Sequence, residues 1–243
     1  MVDIHCHILP EVDDGAWDME AAVTMARLAR DCGVKKIITT PHFKGEPQSL
    51  EAIGLFQHQR RLLQSRLKRE KIDVELLPGA EVLCVPQTLE LARTGRLPTL
   101  GMGRYVLTEF YFDAGAGFMD ETLRAMQELG YLPVVAHPER YGAVQRDPEL
   151  SRSWFHRGIV LQVNKGSILG AFGRRAEDTA VRMLYRGHVH IIASDAHSPE
   201  VRTTDLEPVR RWCMDHLGQE YTKILLEDNP GRVAAGKSMR KVR

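Results

Sequence analysis

Two histidines two positions apart, His5 and His7, stand at the end of a short β-rich run near the start of the chain. On extended backbone an i, i+2 pair points to one side, so both imidazoles can serve a single metal ion. The device recurs near the other end of the chain, where SDAH contains Asp195 and His197. Between them His42 lies in TTPHF, Glu81 in PGAEV, Glu109 in LTEF and His137 in AHPERY, and the loop after the first run adds Asp13 and Asp14. A single His or Glu at a strand end is most often a cap or a solvated residue. Five histidines (5, 7, 42, 137, 197) and four carboxylates (14, 81, 109, 195), nearly all following a β-rich run, fit chance poorly. The set exceeds the three protein ligands that catalytic zinc commonly takes, so two or three divalent ions are expected. Imidazole with carboxylate and no thiolate suits manganese, iron or zinc, and gives no reason to expect copper(I) or an iron–sulfur cluster.

What must hold these residues is a regular alternation. Seven β-rich runs, Val2 to His5, Lys36 to Thr40, Val74 to Leu77, Tyr105 to Phe110, Leu132 to Ala136, Ile159 to Asn164 and His188 to Ser194, are separated by stretches of helical period. In Met19 to Cys32, for example, Ala22, Met25, Ala29 and Cys32 share a face before Gly33 ends the helix. Strand, helix, strand repeated in this way predicts an α/β chain with a parallel sheet, either open and doubly wound or closed as a TIM-like barrel one unit short. A barrel gathers the C-terminal strand ends on one face, where the candidate ligands fall. No Pro-, Gly- or Ser-rich linker interrupts the pattern, so residues 1–243 read as one domain.

The ordered motifs HCHILPEVDDG, TTPH, PGAE, LTEF, AHPER and SDAH resemble those of the PHP (polymerase and histidinol phosphatase) superfamily. Within it they are most similar to bacterial manganese-dependent protein-tyrosine phosphatases of capsule and exopolysaccharide loci. The resemblance covers essentially the whole chain and implies a distorted (β/α)7 barrel with a three-metal cluster. Carried over by motif, His5, His7, Glu81 and Asp195 would hold one ion, Asp14, His42 and His197 a second, and Glu81, Glu109 and His137 a third. It also assigns Arg140, in HPERY, and Arg202, after SDAH, to the substrate phosphate, a task suited to the planar guanidinium fork. The implied cofactor is Mn2+, with Fe or Zn as alternatives. The implied substrate is the phosphotyrosine-bearing, tyrosine-rich tail of a bacterial tyrosine kinase.

Other chemistries are weaker readings. None of Cys6, Cys32, Cys84 or Cys213 has an arginine six positions on, as a thiol-based phosphatase requires, and no two form CxxC. GRVAAGKS at 231–238 fits the P-loop pattern, but EDNP precedes it and five residues follow it, so a helix end and tail is expected. Lys plus Arg number 33 against 32 Asp plus Glu, so no bulk field draws the chain to nucleic acid or an anionic membrane. The basic run Arg60 to Lys71 has helical period and reads as a solvated face, and a second basic run spans 240–243. The first residues lack the apolar core of a signal peptide and no run suits a membrane span, which predicts a cytoplasmic protein.

The expected reaction is hydrolysis of a phosphomonoester by metal-activated hydroxide, with no covalent enzyme intermediate. A phenol leaves with a pKa of about 10, so a metal or a weak proton donor can serve the leaving group and no general acid is nominated. Two alternatives remain: a phosphatase for histidinol phosphate or another small phosphomonoester, and a non-catalytic metal-binding module that recognises a phosphoprotein. The EFYFD segment from Glu109 and the AGAGF stretch beyond it match no family motif, and are candidates for shaping substrate choice.

Overall fold

The computed structural model describes residues 1–101 and 103–240. Nine strands, all paired in parallel, form the core: β1 (Val2–Cys6), β2 (Lys36–Thr39), β3 (His42–Lys44), β4 (Glu75–Leu77), β5 (Glu81–Leu83), β6 (Tyr105–Glu109), β7 (Leu132–Ala136), β8 (Val160–Asn164) and β9 (Ile191–Ala193). They make seven staves, because β2 with β3, and β4 with β5, are each one stave broken in the middle. β1, β2 and β4 pair in that order, and β3, β5, β6, β7, β8 and β9 continue around the ring. A bridge between Cys6 and Ala196 returns the chain to β1. Buried Asp3 reinforces this closure by accepting hydrogen bonds from Ser194 Oγ (2.5 Å) and Ser194 N (3.1 Å). The α/β barrel of seven staves is thus as expected from the sequence.

Boundaries differ in instructive places. The sequence places strands at Lys36 to Thr40 and Val74 to Leu77 and leaves His42 and Glu81 to loops. In the fold both residues begin strands, and His42 stands in register with Glu81 across β3 and β5. Pro41 interrupts one stave and Pro78–Gly79 the other, and apolar pattern alone does not carry a strand across such a break. The last strand contracts from His188–Ser194 to Ile191–Ala193.

Alternation along the staves divides two apolar layers. Ile38, Val134, Val160 and Ile191 fill the barrel with Ile4 and Leu107, while Ile37, Val135, Leu161 and Ile192 face the surrounding helices. The helix Met19–Asp31 starts where Asp18 accepts from Ala21 N and ends before Gly33 at φ +89°. Val233 and Ala234 plug the barrel interior from the C-terminal helix Asn229–Ala234. Within GRVAAGKS, Gly236 at φ +64° follows that helix and Lys237 N donates to Arg232 O, so the segment is a helix end, as expected. In the run 240–243, Arg240 pairs with Asp228 and Glu220, and the remainder lies outside the described residues. Among the described residues no helix is long and apolar enough to cross a membrane.

Candidate metal centre

β1 pairs with β2 as Asp3↔Ile37 and then Cys6↔Thr39, so β1 carries one extra residue. Such a bulge re-aims the side chains beyond it. Ile4 lies in the barrel, Cys6 packs in the outer layer, and His5 and His7 point together into the mouth with Nε2 atoms 3.2 Å apart. The expected i, i+2 convergence therefore holds, and Cys6 points away from it. At the ends of two other staves His137 and Asp195 adopt positive φ, +34° and +49°. This conformation is uncommon outside glycine, costs on the order of 1 kcal/mol and clusters at functional sites. Here it turns the chain sharply just past β7 and β9, at the two residues whose side chains enter the cluster.

All nine expected ligands converge. His5 Nε2 lies 3.2 Å from Glu81 Oε1 and 3.3 Å from Asp195 Oδ1, and His7 Nε2 lies 3.3 Å from Glu81 Oε2. His42 reaches Asp14 (3.3 Å), Glu81 (3.2 Å) and Glu109 (3.7 Å). His137 Nε2 is 3.0 Å from Glu81 and 3.6 Å from Glu109, and His197 Nε2 is 3.4 Å from Asp14. Two donors about 2.1 Å from one ion, at tetrahedral to octahedral angles, stand about 3.0–3.4 Å apart, so the spacings fit ligands around shared ions. Four overlapping groups have the reach to hold one: His7, Asp14, His42 and His197; His5, His7 and Glu81; His5, His137 and Asp195; and His42, Glu81 and Glu109. Membership is that expected from the motifs, but the grouping differs, with His7 in two groups and His137 beside His5 and Asp195.

Electrostatics point the same way. Burial opposes the charged form of His5, yet the Glu81 and Asp195 carboxylates prevail and raise its pKa to about 9. His7, equally buried, is raised to about 10 by Asp13 and Glu81. Burial opposes the ionised form of Asp195 too, but His5 and His137 hold it at about 2. Glu109 is pushed up by burial and by the charge of Glu81. A buried cluster of carboxylates balanced by protonated imidazoles, with arginines at one edge, is one that divalent cations can neutralise better, and the donor set therefore fits such ions.

Several residues that the motifs did not single out hold the ligands in place. Gln162 Oε1 lies 2.9 Å from His5 Nδ1, and Asp13 Oδ2 lies 2.8 Å from His7 Nδ1 while also accepting from His42 N. Asn164 Nδ2 donates to Asp195 Oδ2 at 2.5 Å. Gln162 and Asp13 thus engage Nδ1 of each imidazole and leave Nε2 to face the cluster. Gln162 and Asn164 sit on β8, the one stave end without a ligand in the expected set, and their i, i+2 spacing was the available signal. Asp13 was visible in the sequence as a neighbour of Asp14 without a distinct part to play.

Both arginines reach the cluster. Arg202 Nη2 lies 2.5 Å and Arg140 Nη1 3.7 Å from Asp195 Oδ2. Arg140 is sandwiched between the rings of Phe112 (4.5 Å) and Phe172 (4.3 Å), and Arg202 faces Phe172 at 5.5 Å. Gly166 makes room for that ring, since a Cβ there would meet Phe172 at 2.7 Å. Lys165 is buried and donates to Thr203 Oγ1 and to the carbonyls of Thr203 and Asp205, which anchors the loop carrying Arg202. The resulting cavity, about 180 Å3, is lined by Asp14, His42, Glu109, Phe112 and both arginines among others. Cys6, Cys84 and Cys213 are buried, and no cysteine lines this cavity.

Residues 1–235 match the family model for capsular polysaccharide synthesis proteins CpsB/CapC. The chain is 32% identical over 233 residues to the tyrosine-protein phosphatase YwqE of Bacillus subtilis, covering 94% of this chain and 89% of that one. It is 27% identical to the tyrosine-protein phosphatase CpsB of Streptococcus pneumoniae, covering 96% and 98%. The structure superposes, with a TM-score of 0.89 and 31% identity, on a chain from the crystal structures of YwqE and CpsB, unique metal-dependent tyrosine phosphatases, covering 99% of this chain and 96% of that one. A lactonase from Listeria monocytogenes shares the fold at a TM-score of 0.66 and 11% identity. The barrel, its mouth and these likenesses together place the chain in the CpsB/CapC family.

Proposed function

We propose that this chain is a metal-dependent protein-tyrosine phosphatase whose substrate is the phosphotyrosine-bearing tail of a tyrosine kinase in capsule or exopolysaccharide synthesis. The observation that carries the reading is the meeting of nine ligand-type side chains in one cluster, seven of which line a cavity together with two arginines. Residues 1–243 act as one domain in the cytoplasm, and the resident ions are Mn2+. His5, His7, Asp14, His42, Glu81, Glu109, His137, Asp195 and His197 hold two or three of them. When bound, such ions supply Lewis acidity toward phosphoryl oxygens and a low pKa for water.

The chain's own residues do the rest. Arg140 and Arg202 hold the phosphate oxygens, and their aromatic neighbours keep the guanidinium planes in place before substrate arrives. Asp13 and Gln162 hold His7 and His5 by Nδ1, which leaves each Nε2 to face the centre. Tyr111 and Phe112, exposed in the EFYFD segment that matches no family motif, offer an apolar wall beside Arg140 for a phenyl ring. That wall favours phosphotyrosine over a small alkyl phosphomonoester. No side-chain nucleophile is assigned, so no covalent intermediate is expected.

The test is turnover of a phosphotyrosine peptide and of histidinol phosphate by the wild type with Mn2+, after chelation, and by His7→Ala. The expected outcome is peptide turnover that is lost on chelation and in His7→Ala. Activity indifferent to chelator would overturn the metal mechanism. A strong preference for the alkyl ester would replace the substrate with a small phosphomonoester, and metal-dependent phosphopeptide binding without turnover would make the chain a recognition module.

A further inference from the structure

A second cavity, about 250 Å3, lies beside the breaks in the two interrupted staves and shares no lining residue with the metal centre. Thr39 and Pro78–Gly79 line it from the staves, the helix Ala52–Arg69 from one side and the loop 95–101 from another. That loop is firmly built. Gly101 N donates to Pro78 O at 2.8 Å and Leu100 N to Tyr105 O at 2.7 Å. Gly101 itself is held at φ +60°, where a Cβ would come within 2.6 Å of Ala234 O.

The lining is chemically one-sided. Ile53, Phe56 and Leu97 supply apolar surface, while Arg60 and Arg96 are the charged groups, with no carboxylate among the described lining residues. Neither arginine has an ion pair among the described residues. Arg60 spends Nη1 on Leu76 O at 3.0 Å, and its Nε is buried without a hydrogen-bond partner. A desolvated guanidinium N–H without an acceptor is unfavourable, and an oxyanion is the group that guanidinium forks pair with best. A concave, partly apolar site with a few convergent polar groups is the ordinary form of a small-molecule pocket.

We propose that this cavity binds a small organic anion, its carboxylate or phosphate head on Arg60 and Arg96 and its apolar body against Phe56 and Leu97. The site is independent of the phosphatase reading.

Titration of the Mn2+-loaded protein with 4-bromobenzoate, phenylphosphonate and neutral 4-bromobenzamide, followed by calorimetry, tests it. One saturable site that is weakened in Arg96→Gln is expected for at least one anion, apart from phenylphosphonate held at the metal centre, and the relative affinity of the two anions for that site identifies the preferred head. The amide should bind at least about tenfold more weakly, as should the anion to Arg60→Gln or Arg96→Gln. Arg96 is exposed, so its variant keeps the test sound if Arg60→Gln fails to fold. Phosphotyrosine-peptide turnover should be unchanged in Arg96→Gln, and bromine anomalous scattering from a soaked crystal should fall between Phe56 and Arg96. Absence of saturable binding, equal binding of the amide, indifference to both substitutions, or a bromine position in the metal centre would each overturn the proposal.

Discussion

Metal loading should release protons, and the number follows from the geometry of the mouth. In the ion-free protein the Nε2 of His5 faces Glu81 and Asp195, and that of His7 faces Glu81, which holds the two imidazolium pKa values at about 9 and 10. At pH 7.5 the pair is therefore protonated. An imidazole ligates through an unprotonated nitrogen, and Nδ1 of each ring is engaged by Gln162 or Asp13, so the proton on Nε2 must leave. Because the two Nε2 atoms lie 3.2 Å apart and compete for protons, at least one proton per chain should be released, and the apparent affinity for Mn2+ should rise at least about tenfold per pH unit between pH 7 and 8.5. Well above pH 10 the dependence should fade, because the pKa of His7 is then passed and no proton remains to be displaced. Calorimetric titration of chelator-stripped protein in buffers of different ionisation enthalpy measures the number directly. A release close to zero at pH 7.5 would refute the assignment of His5 and His7 as ligands through Nε2.

The same shifts predict that the ion-free protein loses thermal stability as pH rises from 7 to 10. A histidine whose folded pKa is raised contributes stability in full below its unfolded value near 6.5, and loses it as pH passes the folded value. Thermal melts across that range check it, and Mn2+ should flatten the dependence. Gln162→Leu should weaken metal binding about 10- to 100-fold with the circular dichroism spectrum unchanged, because His5 loses the partner that orients it. Lys165→Met should raise KM for a phosphotyrosine peptide on the order of tenfold, with a smaller change in kcat, by loosening the loop that carries Arg202. Gly15→Ala should cost about 1–3 kcal/mol in denaturant unfolding, since the added Cβ would lie 2.0 Å from His7 O and 2.6 Å from His7 Cβ.

The near-neutral composition conceals the character of the mouth. On the proposed reading, four carboxylates would be outweighed once two or three divalent ions joined Arg140 and Arg202, so the loaded site should attract a dianionic phosphate although the chain carries a formal charge of only +1. The likeness of the chain to YwqE and CpsB extends over the whole barrel, and the nine ligand-type residues are all contained in it.

Seven β-rich runs with helical stretches between them were enough to predict a parallel α/β sheet, because each run is a short apolar segment and each helix an amphipathic one, while closure into a barrel was implied by the family resemblance. The ligand set was legible for a related reason: polar, ionisable residues directly after apolar strands are conspicuous, and parallel topology carries all such ends to one face. What sequence could not supply is whatever depends on how the ends meet. The extra residue in β1, which lets both Ile4 and His5 face the barrel interior, is visible only as a register shift against β2. The continuation of two staves past Pro41 and Pro78–Gly79, which sets His42 beside Glu81, needs neighbouring strands to pair with. Gln162, Asn164 and Asp13 have ordinary polar side chains until the fold sets them against His5, Asp195 and His7. Likewise Phe172 lies 32 residues after Arg140 and 30 before Arg202, yet packs against both. The kinds of atoms in the site are a property of the chain, because residue type and local period survive in one dimension. Their pairing, protonation and reach are properties of the closed barrel, because they depend on distances of a few ångströms between residues far apart in sequence.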